Sequence, residues 1–238
     1  MAAKNSCCLV LAASTTNCIY TKTAKKDYLF LNSGSSLAIE KIVKFYSKLE
    51  IPVYTAIDNN ENISKFEAFE NCNFIKVPKT NSIFETLKFA IDELEKFNYK
   101  NITINPIQVV PAEKLIEKTI SISSLLYRKG NWTAIQIKAD KIEFLFRDDN
   151  SKEGELAYAF TGRINFDIAH LKKFFNTCKD LEGKDLGYLA CYLSNNFNYK
   201  FNYESWLDIT HDILFSEAKL RNINCRNFHQ IKYFQKKN

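Results

Sequence analysis

The spacing of apolar residues changes several times along this chain, and each change marks an element. Cys7 to Ala12 is a continuous apolar run of strand length, the pattern of a parallel strand covered on both faces. Pro52–Ile57 and Asn101–Ile107 read as further core strands, and Phe74–Pro78 as a shorter one. Between these runs the period lengthens. Leu37, Ile39, Ile42, Val43, Phe45, Tyr46 and Leu49 recur at helical spacing behind a cap at Ser36. Ile83, Leu87, Ala90, Ile91 and Leu94 do the same behind Ser82. Strand and helix alternating at short intervals predict an α/β fold: a mainly parallel, Rossmann-like central sheet with helices on both faces. Cys7–Ala12 is expected at its centre, with Asn101–Ile104 nearby.

The pattern changes near Lys118. Thr119–Leu126, Trp132–Lys138 and Lys141–Phe146 are rich in β-branched and aromatic residues, and Ala139-Asp140 reads as a hairpin joint. This stretch is expected to form an antiparallel extension of the sheet. Tyr158–Ile164 is another strand, and helices are expected at Asp167–Cys178, Asp185–Ser194 and about Asp212–Arg221. Asn195–Tyr203 has no clear period. No linker or repeat divides the chain, so residues 1–238 read as one domain with a parallel half, 1–117, and a second half, 118–238.

Composition narrows the function classes. Phe 19 and Tyr 12 supply a core that argues against disorder. Lys+Arg 33 against Asp+Glu 27 leaves a net charge of +6, spread along the chain. That excess suits a small anionic ligand and lacks the concentrated stripe of a nucleic-acid binder. The seven cysteines include no Cys-x-x-Cys pair, which points to a reducing compartment and away from structural zinc. No stretch reaches the ~20 apolar residues of a membrane span, and the first apolar run is too short for a signal peptide, so a cytoplasmic location is expected. The three histidines form no Ser/His/Asp or Cys/His set at hydrolase spacing.

Candidate chemistry starts where the first strand ends. Ala12, Ala13, Ser14, Thr15 and Thr16 are small or hydroxylic. A loop at the carboxyl end of a buried parallel strand is where open α/β sheets bind ligands, and small residues let backbone N–H groups approach a phosphate. An ordinary strand-to-helix loop has the same composition. Lys79-Thr80-Asn81-Ser82 opens the second helix, as a plain N-cap or as an anion site. Arg163 follows a glycine near a strand end. Its guanidinium is either aimed at a phosphate or held in a structural salt bridge.

Leu9-Val-Leu-Ala-Ala-Ser14 resembles the opening of sugar-phosphate nucleotidyltransferases, and Lys26-Asp-Tyr-Leu-Phe-Leu-Asn-Ser-Gly-Ser-Ser-Leu37 resembles their lysine-bearing segment. Trp206-Leu-Asp-Ile-Thr-His211, with Ala218-Lys219 and Arg226-Asn-Phe228, is similar to nucleotidyltransferase-like proteins of bacterial capsule and surface-glycan clusters, as is Phe160-Thr-Gly-Arg-Ile164. The resemblance is specific at the two ends and vague between Lys118 and Glu155. It implies a nucleotide-diphospho-sugar-transferase-like fold whose residues 1–117 bind an NTP. Residues 118–238 would then hold a phosphorylated small-molecule acceptor, with a closing helix. It implies Lys26 and Arg163 as phosphate-neutralising groups, Ala12–Thr16, Lys79, Asn81 and Ser82 as nucleotide contacts, and Asn105 and Asp208 at the Mg²⁺ positions. Homo-oligomer formation is left open. Several positions depart from the family pattern. Ser14 stands where a glycine belongs, no arginine occurs between Ala13 and Lys22, Asp27 competes with Lys26 for the lysine site, and Asn105 is a neutral amide. These departures favour, as an alternative, a catalytically weak nucleotide- or sugar-binding member of the fold. A glycosyltransferase is a second alternative, against which stands the lack of any Asp-x-Asp.

Overall fold

A computed structural model describes residues 5–13, 32–33, 36–59, 71–129, 132–138, 141–147 and 149–205. Strand β1 (Ser6–Leu11) pairs in parallel with β4 (Val53–Asp58) on one side and β6 (Asn101–Pro106) on the other. It is the central strand that its apolar run predicted, and Asn101–Ile104 lies beside it. The run is continuous because both faces are covered. Cys7, Leu9 and Leu11 enter one core; Cys8, Val10 and Ala12 enter the other. The first core lies under α2 (Ile83–Leu94), α3 (Ile168–Thr177) and α4 (Leu186–Phe197), and the second under α1 (Ala38–Ser47).

The main sheet runs β11-β7-β10-β6-β1-β4-β5, with β5 at Cys72–Val77, β7 at Thr119–Arg128, β10 at Leu156–Asp167 and β11 at Lys200–Glu204. Along this path only β10 is reversed, antiparallel to both β6 and β7. Strands β8 (Ala134–Lys138) and β9 (Lys141–Leu145) pair with each other and, through β8, with β10. This is the antiparallel extension expected after Lys118. Its position follows from register. Ile164 lies opposite Ile104 on one side and Ile120 on the other. Strand β6 ends two residues later, whereas β7 runs on to Arg128 and β10 begins at Leu156. The extension therefore stands past the carboxyl ends of β6 and β1 as a wall.

Local capping signals are mostly met. Ser82 accepts from the Glu85 N–H at 3.1 Å, Asp167 from that of Ala169 and Asp185 from that of Gly187, both at 2.8 Å. The first helix differs. Its N-cap is Leu37, whose N–H donates to the Glu40 carboxylate at 2.9 Å. Ser36 instead pairs with Ser33 in a short ribbon, β2 (Asn32–Ser33) with β3 (Ser36–Leu37). Strand β11 had no sequence signal: α4 continues to Phe197, Asn198 reverses the chain at φ 54°, and the next residues join β7 at the sheet edge. No helix among the described residues is long and apolar enough to cross a membrane.

Candidate functional site

Four parallel strands end side by side: β1 at Leu11, β4 at Asp58, β5 at Val77 and β6 at Pro106. Backbone bonds tie the ends together. Ala12 donates to Ala56 at 3.0 Å, Asn59 to Val77 at 2.8 Å and Ile107 to Leu11 at 3.4 Å. This is the edge at which open α/β sheets bind ligands. Ala12 is buried and Ala13 half-buried, so the chain leaves β1 without a bulky side chain over its backbone. Past β5, Lys79 and Asn81 are exposed and Ser82 opens α2. The Asn81 N–H donates to the Glu85 carboxylate at 2.7 Å. Ala12, Ala13, Lys79, Asn81 and Ser82 thus follow strands that end on one edge of the sheet. Ser14, Thr15, Thr16, Lys26, Asp208 and the expected final helix lie outside the described residues.

Asn105, next to last in β6, is fully buried and engaged at both ends of its amide. Its Nδ2 donates to the carbonyls of Pro106 (2.9 Å) and Val109 (2.7 Å), and its Oδ1 accepts from the Tyr46 hydroxyl at 3.3 Å. It clasps the turn after β6, and its oxygen is buried against the Tyr46 hydroxyl. Among the described residues no group of three His, Cys, Asp or Glu side chains is placed to hold an ion.

Arg163 takes the structural one of its two expected roles. Between Phe160 and Ile164 the register against β7 slips, with three residues of β10 (161–163) set against Ser121 of β7. Gly162 sits in this bulge at φ +83°. The bulge turns Arg163 into the core, where it is fully buried and ion-paired with Glu204. Its other nitrogen donates to the Tyr46 hydroxyl at 3.0 Å and the Glu113 carbonyl at 2.9 Å. Glu204 also accepts from the Ser121 hydroxyl. The two terminal nitrogens of the guanidinium are committed to these partners. Burial pushes the Glu204 carboxyl up, while Arg163 and Ser121 pull it back. Burial likewise raises the Tyr46 phenol and the Cys8 thiol beside it.

Glu204 is the residue that reading the sequence missed. The signal was indirect: an arginine flanked by apolar strand residues needs a buried carboxylate, but nothing local says which one. On the wall, Tyr127 and Trp132 pack with Val109 and Ala159 just beyond the end of β6. Burial there pushes the Tyr127 phenol up to about 12.

No protein-family model matches the chain, and no curated protein does. Solved structures do match. A Bacillus anthracis protein described as a glucose-1-phosphate thymidylyltransferase superposes with a TM-score of 0.67 at 16% identity, over 92% of this chain and 96% of that one. A nucleoside-diphosphate-sugar pyrophosphorylase from Vibrio cholerae gives 0.64 at 11% identity, over 88% and 98%. A CTP:phosphocholine cytidylyltransferase from Streptococcus pneumoniae gives 0.65 at 11% identity, over 91% and 99%. The fold is therefore that of sugar-phosphate nucleotidyltransferases along nearly the whole of both chains, as the end motifs implied.

Proposed function

We propose that this protein is a nucleotidyltransferase that activates a phosphorylated small molecule, a sugar phosphate or phospho-alcohol, with an NTP. The observation that carries the reading is the near full-length match to three solved structures with names of this class. In the reaction an acceptor phosphate oxygen attacks the α-phosphorus. The bond from that phosphorus to the α–β bridging oxygen breaks, and pyrophosphate leaves. Such transfer depends on positioning and charge neutralisation more than on a protein nucleophile.

The small residues Ala12–Thr16 would bring backbone N–H groups to the triphosphate, Lys26 would offset its charge, and Lys79, Asn81 and Ser82 would hold the nucleotide from the α2 side. The wall beyond β6 would receive the acceptor. Among the described residues no cluster of His, Cys, Asp or Glu is placed to hold magnesium, and the Asn105 oxygen is buried against Tyr46. Magnesium would arrive on the NTP phosphates, with Asp208 as the candidate protein ligand. Cytoplasmic work on surface-polysaccharide precursors is the setting that the Trp206–Phe228 motifs favour.

The second reading, a catalytically weak binding member of the fold, is favoured by the engaged, neutral Asn105. Pyrophosphate release across the four NTPs, each with a panel of sugar phosphates and phosphocholine, separates the two. Turnover with one pair supports the enzyme. NTP binding with no turnover supports the binding member, and no NTP binding removes both.

A further inference from the structure

We infer that Arg163 and Glu204 are positioning residues for segment 106–113, the stretch that follows β6 on the acceptor side of the carboxyl edge. The inference rests on reading that edge as the nucleotidyltransferase site. A buried ion pair is weak evidence of stability, because well-packed apolar residues of similar volume do as well or better. This pair also leaves the Arg163 Nε buried without a partner. What it does supply is direction.

The guanidinium has donors only, so toward Arg163 the Tyr46 oxygen must accept. The single phenolic proton of Tyr46 is then free for an acceptor, and Asn105 Oδ1 lies at 3.3 Å with the Cys8 thiol also beside the hydroxyl. The Pro106 and Val109 carbonyls accept only, so they take the Asn105 NH₂ and turn its oxygen toward the Tyr46 hydroxyl. Arg163 reaches the same segment directly through the Glu113 carbonyl. Glu204 holds the arginine in place and is itself held by Ser121. One charge pair is thereby joined, through Tyr46 and the Glu113 carbonyl, to the segment after β6. An apolar pair would fill the space but would leave Tyr46 free to donate or accept, and the Glu113 carbonyl without its guanidinium donor.

The test is the double variant Arg163→Met/Glu204→Met, which removes both charges together and leaves no unpaired charge. Three quantities are read: thermal unfolding, the side-chain NH₂ resonance and exchange rate of Asn105 by ¹⁵N NMR, and KM for acceptor and NTP separately. The expected result is a folded protein whose Asn105 NH₂ exchanges at least about tenfold faster, with acceptor KM raised by about tenfold or more and NTP KM moved less than about twofold. A folded double variant with unchanged Asn105 exchange and unchanged acceptor KM overturns the inference. If the wild-type protein turns over no NTP, the functional reading fails and the Asn105 resonance alone judges this connection. Should the double variant not fold, Tyr46→Phe removes the connecting hydroxyl while leaving the ion pair. Unchanged Asn105 exchange in that variant overturns the inference equally.

Discussion

Gly162 lies so close to Pro106 that a Cβ at this position would sit 2.7 Å from the proline Cγ. The two residues meet where the reversed strand β10 passes the end of β6, and the positive φ of Gly162 makes the bulge that carries Arg163 inward. Gly162→Ala is expected to meet both the left-handed backbone penalty and overpacking against the ring. The loss should be about 2–4 kcal/mol, read as a lower denaturant midpoint with an unchanged slope. A wild-type midpoint would mean that β10 does not approach β6 in this way.

Thr133 and Asp185 join the wall to α4. The Thr133 hydroxyl donates to the Asp185 carboxylate at 2.8 Å, and the same carboxylate caps the helix through Gly187. Asp185→Ala removes the cap and strands the threonine hydroxyl, and is expected to destabilise by about 1–2 kcal/mol. Asp185→Asn, which keeps an acceptor oxygen, should recover most of that. Equal losses in the two variants would argue against the cap.

Arg163 and Glu204 should be strongly non-additive. Arg163→Met alone leaves a buried carboxylate unpaired and is expected to cost about 3–5 kcal/mol. Adding Glu204→Met should restore most of the loss. A double-mutant cycle in chemical denaturation measures the coupling, and a cycle that closes to zero would deny the ion pair.

His170 gives stability an acid-side dependence. Its ring stacks on Phe197 at 3.9 Å between centroids, and its Nδ1 meets the Tyr199 hydroxyl at 3.1 Å. Burial lowers its pKa; Asp167 opposes this, and Lys118 and Lys173 reinforce it. A depressed folded value means the neutral ring is favoured. Its contribution is therefore whole above the unfolded value of about 6.5 and declines as pH falls below it. The stability advantage of the wild type over His170→Phe should shrink between pH 7.5 and pH 5. An advantage that grows toward acid would reverse the sign of the shift.

Asn105→Asp is expected to destabilise the turn after β6 and to create no magnesium site there. The new carboxylate would face the Pro106 and Val109 carbonyls, which now accept from Nδ2. Calorimetry should find little Mg²⁺ binding to the free protein, wild type or variant. NTP binding to the wild type should tighten with Mg²⁺, and Asp208→Ala should abolish the tightening. Tight Mg²⁺ binding by Asn105→Asp without nucleotide would refute this account of the turn.

The sequence by itself determined the local elements. The unbroken apolar run of Cys7–Ala12 required cover on both faces, and Ser82, Asp167 and Asp185 named their helix starts, because a cap acts within three residues of itself. The β-branched stretch after Lys118 foretold antiparallel pairing for the same local reason. Only the tertiary structure decided the partners of the polar residues. Arg163 was open to a phosphate or a carboxylate until the chain brought Glu204, 41 positions away, against it. Asn105 had no partner legible in the sequence until the fold set Tyr46, 59 positions away, against its amide oxygen. A buried polar group must find a partner. Which partner it finds depends on which strands the fold places side by side, and β11, lacking a periodic signal of its own, took its place only by pairing with β7.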